Sequence, residues 1–330
     1  MAVRARRNAF VLPGRDHYVR GMHAIRLHDF GPPENLRYEE LADPEHGEGQ
    51  VRITVEAAGV HLIDTSIRSG RSGGPFPLPA LPMTPGREVA GTVDGRRVVA
   101  HLGMASGGYA ELALAPSEAL HDIPEGLASD VAVAAIGTGR TAVGILEVAE
   151  LTADDVVLVT AAAGGLGGLF LQAARHAGAF SIGAAGGEHK VAQLDADLSV
   201  DYSRTGWTEG LRDRRVTVVL DGVGGELGRA ALETLSPGGR IVLFGFASGK
   251  PTEITTGDLY RLGIRADAAV GPRMLNRPGG LRELETAALA AAAAGRLVPR
   301  VGRPYQLAEA AEAHRALESR KTTGKVVLVP

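Results

Sequence analysis

The stretch Val156-Val157-Leu158-Val159-Thr160-Ala161-Ala162-Ala163-Gly164-Gly165-Leu166-Gly167 decides the fold. Residues 156–160 form a compact, Val-rich apolar run, which predicts a buried strand. Residues 166–177 predict a helix. Between them, small residues let a diphosphate come close to the backbone of Ala163, Gly164, Gly165, Leu166 and Gly167. The N–H groups at the helix start then face the anion, helped by the helix dipole. A glycine run alone is also compatible with a plain tight turn. A strand before it, a helix after it and a second strand at 180–184 give it its meaning as a dinucleotide-binding turn.

The second strand indicates which dinucleotide. An Asp or Glu about 20 residues past the glycines ordinarily holds the ribose diol of NAD. Here the strand runs into Gly183-Ala184-Ala185-Gly186-Gly187 with no acid at its end, and His189 and Lys190 follow. A cation without a carboxylate suits the extra 2′-phosphate of NADP. A solvated helix lysine is the plainer reading of Lys190. Glu188 could line the same pocket, but its place at a helix start favours the amide ends. Phe244-Gly245 closes a later strand and is expected beside the cofactor, because ligands sit beyond the carboxyl ends of such strands.

Working outward, strands and helices alternate from residue 155 on: strands at 216–220 and 240–244, helices at 190–196 and 226–235. Such alternation means a parallel sheet covered by helices. The preceding part is different. Residues 23–27, 51–55, 89–93, 97–100 and 109–114 read as short strands, and helices begin only at 130–136 and 140–149. Helices at 281–294 and 307–319 precede a last strand at 325–329, which could return to the β-rich part. The expected class is α/β: a Rossmann sheet plus a β-rich domain. The boundaries expected are an extension at 1–21, a β-rich domain at 22–127 completed by 271–330, and a nucleotide domain at 128–270.

The 330 residues exceed one ordinary core and suit two domains. Apolar residues at 45% and charged residues at 22% indicate a folded chain rather than a disordered one. A net charge of −3 gives no basic excess for a nucleic-acid backbone. No uninterrupted apolar run approaches the roughly 20 residues of a membrane helix, so neither nucleic acid nor membrane is an expected partner. There is no cysteine, which excludes disulfides and thiolate zinc sites and is compatible with the cytoplasm. Arg4, Arg6, Arg7, Arg15 and Arg20 stand against Asp16 in the first 21 residues, without the apolar core of a secretory signal.

From Met22 to Pro330 the sequence resembles the zinc-independent quinone oxidoreductase (zeta-crystallin-like) branch of the medium-chain dehydrogenase/reductase superfamily. The resemblance rests on Ala57-Ala58-Gly59-Val60 with Asp64 downstream, on Pro85-Gly86-Arg87-Glu88-Val89-Ala90-Gly91 and on Gly107-Gly108-Tyr109-Ala110-Glu111. The glycine turn, Asp221-Gly222-Val223-Gly224 and Gly324-Lys325-Val326-Val327-Leu328 complete it. It implies a GroES-like catalytic domain around a Rossmann domain, a cleft between them for the nicotinamide, and often a homodimer. The chain near Phe244 to Ser248 could contribute to such an interface. It implies a 2′-phosphate pocket of Lys190, Tyr202 and Arg320, with Gly186 replacing the usual Ser, and contacts from Val223 and from Thr141 near the nicotinamide. Plainer readings are a half-buried Tyr202, a surface Arg320 and a Thr141 hydroxyl bonded to its own helix.

Zinc-dependent relatives hold metal with a Cys, a His-Glu pair and a further Cys or Asp. Here Val60 or His61 takes the first place and Arg87 replaces the histidine. His61 and Asp64 fall short of the three protein ligands a catalytic zinc needs, so no metal is expected. Quinones and enones are already activated by conjugation and tolerate such a site. His61 stands where the family usually has Asn. It is the candidate contact to substrate or nicotinamide, or else a histidine satisfied by backbone. Asp64 and Arg68 are expected to brace each other or their loop, Tyr109 to be core, and Ser66 to widen the cleft where the family has an aromatic residue. The hairpin Val93-Asp94-Gly95-Arg96-Arg97 is shorter than the family's and could alter the surface or the packing. The expected activity is NADPH-dependent reduction of a quinone or enone. An enoyl-thioester reductase and a non-catalytic NADPH sensor remain alternatives.

Overall fold

The computed structural model describes residues 9–11, 18–71 and 77–330. Two units form, one from the chain up to residue 136 with 301–330, the other from 137–300.

The first unit contains β1 (Ala9–Val11), β2 (Tyr18–Leu27), β3 (Leu36–Ala42), β4 (Gln50–Val60), α1 (Leu62–Arg68), β5 (Glu88–Val93), β6 (Arg96–His101), β7 (Leu112–Pro116), β8 (Leu120–Asp122) and α2 (Ser129–Ala134). The second follows with α3 (Arg140–Ala149), β9 (Val156–Val159), α4 (Gly165–Ala177), β10 (Phe180–Ala185), α5 (Glu188–Val191), β11 (Leu198–Asp201), β12 (Val216–Asp221), α6 (Gly225–Leu232), β13 (Leu235–Leu243), α7 (Thr256–Leu262), β14 (Arg265–Ala268), α8 (Pro272–Leu275) and α9 (Gly280–Ala293). The chain then returns to the first unit with β15 (Tyr305–Gln306), α10 (Ala310–Glu318) and β16 (Val326–Val329).

β4 organises the first unit. Ile53, Val55 and Ala57 are buried while Arg52, Thr54 and Glu56 are exposed, the alternation of a half-buried strand. It carries β5, β7 and β16 antiparallel, in a sheet ordered β15-β16-β4-β5-β6-β8 with β7 off that path. β16 therefore does return to the β-rich unit, pairing Leu328 with Ala58. The shortened hairpin closes cleanly. Val93 pairs with Arg96, and Asp94 and Gly95 both take positive φ, as a two-residue turn between twisted strands requires. Part of the expected extension is structured, since β1 pairs with β2 and β2 with β3. Residues 1–8 and 12–17 lie outside the described residues.

The second unit is a parallel sheet in the order β11-β10-β9-β12-β13-β14. Strand order reverses between β9 and β12, so the turn after β9 opens at the switch point of a doubly wound Rossmann sheet. One face packs α3, α4 and α9 around Ile145, Phe170 and Leu284, and the other packs α6 around Leu232 and Ile241.

Several boundaries differ from the sequence reading. α5 has only four residues rather than a helix over 190–196. Leu235 begins β13 rather than ending a helix. Residues 271–300 belong to the nucleotide unit, because Met274 and Leu284 reach to within 2.7 and 3.1 Å of where a side chain on Gly144 of α3 would begin. The nucleotide unit also starts later, at 137, within a π-helical turn (Ala135–Gly139). Helical conformation runs unbroken over Ser129–Ala149, long and apolar enough to cross a bilayer, but 67% of its apolar window is buried in protein, as in a core helix.

Leu284 tests the revised boundary. Leu284→Ala should destabilise the chain by about 2–5 kcal/mol, and hydrogen exchange should show faster opening of β9 and β12 than of β4 and β5. Selective loosening of β4 would place α9 with the other unit.

Candidate functional site

The glycine turn is tied down on both sides. Thr160 N donates to Leu220 O of β12 (3.1 Å), and Ala162 N donates to Ala184 O of β10 (2.9 Å). Ala161 takes φ 50°. Any side chain on Gly167 would begin 2.5 Å from both Ala161 O and Ala162 Cα, so only glycine lets α4 start this close to the turn. Gly164 provides no side-chain cap. The first-turn amides of Gly165, Leu166 and Gly167, which no intrahelical carbonyl can satisfy, are thus presented at the carboxyl end of β9. A dinucleotide diphosphate fits this arrangement of small residues and donors.

The last residues of β10, Ala184 and Ala185, carry no acid, and the exposed Glu188 opens α5. Asp201 lies near, but its carboxylate accepts from Ser203 Oγ (2.6 Å), Gly187 N (2.8 Å) and Ser203 N (2.9 Å). The Ser203 hydroxyl first, and these amides, hold Asp201 below its ordinary pKa. Tyr202 N donates to Ala185 O, and the half-buried Tyr202 ring meets Trp207 edge to face at 6.3 Å. A side chain on Gly186 would begin 2.9 Å from Tyr202 Cε2. The tyrosine ring therefore fills the place of the missing serine. Lys190 follows within α5, its amide bonded to Gly187 O.

The ends of β12 and β13 are fixed by Asp221, which is fully buried. It accepts from Thr252 Oγ1 (2.6 Å), Thr160 Oγ1 (2.8 Å) and Val223 N (3.0 Å). Phe244 N donates to Asp221 O, and the Phe244 ring meets Phe170 at 5.1 Å, which sets Phe244 and Gly245 at the strand ends. Thr141 donates to Gly137 O at 2.9 Å, so its hydroxyl is bonded within its own helix.

In the first unit, His61 precedes α1 and its amide donates to Asp64 Oδ2 (2.8 Å). Its imidazole is not satisfied by backbone alone. Nε2 lies 2.5 Å from Glu88 Oε1 and 2.7 Å from Lys325 Nζ, and Lys325 Nζ lies 2.9 Å from Glu88 Oε2. Burial alone would raise the pKa of Glu88, but the charges of His61 and Lys325 prevail and hold it far below the carboxylate range. Asp64 and Arg68 brace their loops rather than each other: Arg68 pairs with Glu318 and donates to Gly31 O, while Asp64 holds the His61 amide and accepts from Tyr109 OH (3.2 Å). Tyr109 is core, as expected, and also contacts His314 Nε2 (3.2 Å). A cavity of about 10 Å³ beside Asp64 and Arg68 has room for one water. Arg320 also belongs to this unit, where it follows α10 with φ 56°. Sequence reading passed over Glu88 and Lys325 as family marks. Their chemical signal was only an acid and a base in separate motifs.

A switch-point glycine turn on a doubly wound sheet, joined in one chain to a β-rich unit, defines a dinucleotide-dependent dehydrogenase or reductase. The family profile described as "Zinc-binding dehydrogenase" matches residues 194–328, and "Alcohol dehydrogenase GroES-like domain" matches 47–125. A quinone oxidoreductase of Pseudomonas aeruginosa is 31% identical over 93% of this chain and 99% of its own. A 2-haloacrylate reductase of Burkholderia is 31% identical over 93% of this chain and 98% of its own. The quinone oxidoreductase of Thermus thermophilus, solved also with NADPH, is 34% identical with a TM-score of 0.81, covering 94% of this chain and 100% of that one. The chain belongs to the quinone oxidoreductase branch of the medium-chain dehydrogenase/reductase superfamily, and it is an oxidoreductase.

His314 gives this unit a pH signature. Burial first, and the charge of Arg68 second, push its pKa from 6.5 down to about 3. The unfolded chain therefore takes up this proton first as pH falls, so the stability is complete above pH 6.5 and is lost between 6.5 and about 3. The loss should reach roughly 5 kcal/mol. Urea unfolding across that window should show a shallower pH slope for His314→Gln than for the native chain, and equal slopes would contradict the assignment.

Proposed function

We propose that this chain transfers a hydride from NADPH to a quinone or another conjugated carbonyl, an enone, without zinc. The end of β10 carries the choice of NADPH. Asp201 is spent on Ser203 and Gly187, while Lys190 and Tyr202 flank Gly186 where the adenosine ribose of a dinucleotide lies. Bound NADPH supplies the hydride. Ala163, Gly164, Gly165, Leu166 and Gly167 hold its diphosphate. Thr141, Val223, Phe244 and Gly245 contact the remainder, and Lys190 and Tyr202 orient the 2′-phosphate, with Lys190 supplying the positive charge. His61 contacts the acceptor or the carboxamide.

The relatives named as quinone and 2-haloacrylate reductases reduce conjugated acceptors, which supports an acceptor of that class here. A site without zinc is supported by the lack of cysteine and by Lys325, whose ammonium already supplies a cation to both His61 and Glu88. Cytoplasmic location fits the same lack of cysteine. A homodimer fits the open edge at β14, the last strand of its sheet, near which Tyr260, Val270 and Leu275 are exposed.

Purified protein with NADPH should reduce members of a panel of quinones and enones faster than enoyl thioesters. Lys190→Ala should weaken NADPH by about 10- to 100-fold and leave NADH nearly unchanged. Equal losses for both dinucleotides would count against the phosphate pocket. Preference for enoyl thioesters, or NADPH binding without turnover, would replace the quinone or enone reading.

A further inference from the structure

The turn that follows β10 is gripped from the neighbouring strand. Ala185 of β10 and Asp201 of β11 pair in parallel register. One step on, Tyr202 N donates to Ala185 O at 3.1 Å, and the Tyr202 ring occupies the space beside Gly186. The Asp201 carboxylate reaches across to the turn itself and accepts from Gly187 N at 2.8 Å. Gly187 takes φ 91°, a left-handed conformation that glycine adopts without strain. Its carbonyl then accepts from Lys190 N at 3.0 Å and Val191 N at 3.1 Å. Asp201, Gly187 and the Lys190 amide thus form one continuous line of hydrogen bonds.

That line matters because α5 cannot hold itself. A helix of four residues falls far short of the length at which helical hydrogen bonds offset the cost of nucleation. Gly187 is its N-cap and brings no capping side chain, so the Asp201 carboxylate is what fixes the Gly187 amide. The carboxylate is itself held. Its Oδ1 also accepts from Ser203 Oγ at 2.6 Å and from Ser203 N at 2.9 Å. Arg204 Nε lies 3.6 Å from Oδ2, and the Asp201 side chain is only 11% exposed. Three donors and a guanidinium offset its negative charge, so an acid at this place is compatible with an anion bound beside it.

We propose that Asp201 is a positioning residue that sets the preference for NADPH: by holding Gly187 it seats α5, and with it the Lys190 ammonium, against the 2′-phosphate. The proposal rests on the NADPH reading above. In this role Asp201 acts through a backbone amide rather than by touching the cofactor, so it contributes an acceptor oxygen and not its charge. The work around the turn is divided between neighbours. Asp201 fixes the backbone that carries the cation, and Tyr202 fills the space beside Gly186. A nucleotide without the 2′-phosphate makes no demand on Lys190 and is therefore indifferent to Asp201.

Isothermal titration calorimetry of the full chain with two probes isolates the effect. Adenosine 2′,5′-bisphosphate carries the 2′-phosphate and 5′-AMP lacks it, so their affinity ratio measures what that phosphate adds. Asp201→Ala should lower the ratio about 10-fold, the loss of one charge-assisted hydrogen bond, with 5′-AMP affinity unchanged. Asp201→Asn keeps the acceptor oxygen and should restore the native ratio. In a Lys190→Ala chain, adding Asp201→Ala should change the ratio by about twofold or less, because residues that act through one another are not additive. Ser203→Ala loosens the carboxylate without removing it and should give a smaller fall of the same kind, which keeps the test open if Asp201→Ala does not fold. A native ratio in Asp201→Ala or Ser203→Ala, an equal loss for both probes, no rescue by Asp201→Asn, or full additivity with Lys190→Ala overturns the positioning role and leaves the NADPH reading standing. A native chain that binds the two probes equally overturns the NADPH reading and the positioning role with it.

Discussion

α4 can begin where it does only because Gly167 brings no side chain against Ala161 O and Ala162 Cα, 2.5 Å from where one would start. That single close approach keeps the turn short and puts the helix amides at the carboxyl end of β9. The turn is held from both sides, by β12 at Thr160 and by β10 at Ala162. Asp221 extends the same order to the next strand, using its buried carboxylate to fix Thr160, Thr252 and Val223. The nucleotide unit is therefore a set of strand ends locked in register around donors whose partners are not in the helix.

The first unit solves a different problem. It buries a carboxylate, Glu88, which is costly unless charge and hydrogen bonds compensate. Two bases crowd that carboxylate, and one of them opens outward. A buried ion pair adds little stability over an apolar core, so its value here lies in where it places charge and protons. Quinones and enones need little activation beyond a hydride and a proton.

The nucleotide unit was the more legible in the sequence. Residues 156–177 repeat the strand, turn and helix periods locally, and the switch-point position follows from the alternation that surrounds them. α5 was overread, because apolar residues such as Val191 and Leu194 suggest helical spacing beyond the four residues that are helical. The membership of residues 271–300 is not legible locally, because the packing of Leu284 against α3 is set by contacts far apart in sequence. The same separation hid the cluster of His61, Glu88 and Lys325. His61 and Lys325 are 264 residues apart, and their meeting depends on Val326 of β16 pairing with Val60 of β4. A carboxylate's burial cannot be read from a motif, so Glu88 read as a family mark. Thr141 shows the opposite case, a family position whose hydroxyl is bonded within its own helix.

Both units thus bring simple chemistry to defined places: helix amides at the switch point, a strand end where Ser203 and Gly187 hold Asp201, and a histidine coupled to a buried ion pair. Hydride transfer from NADPH to a conjugated carbonyl, the proposed reaction, can be followed atom by atom. The most direct measurement uses NADPH carrying deuterium at the transferred position of C4, an enone acceptor and mass spectrometry of the product. Such transfer leaves one deuterium on the β-carbon and a proton from water on the α-carbon. A reduced product without the label, or no product while NADPH stays bound, would contradict it.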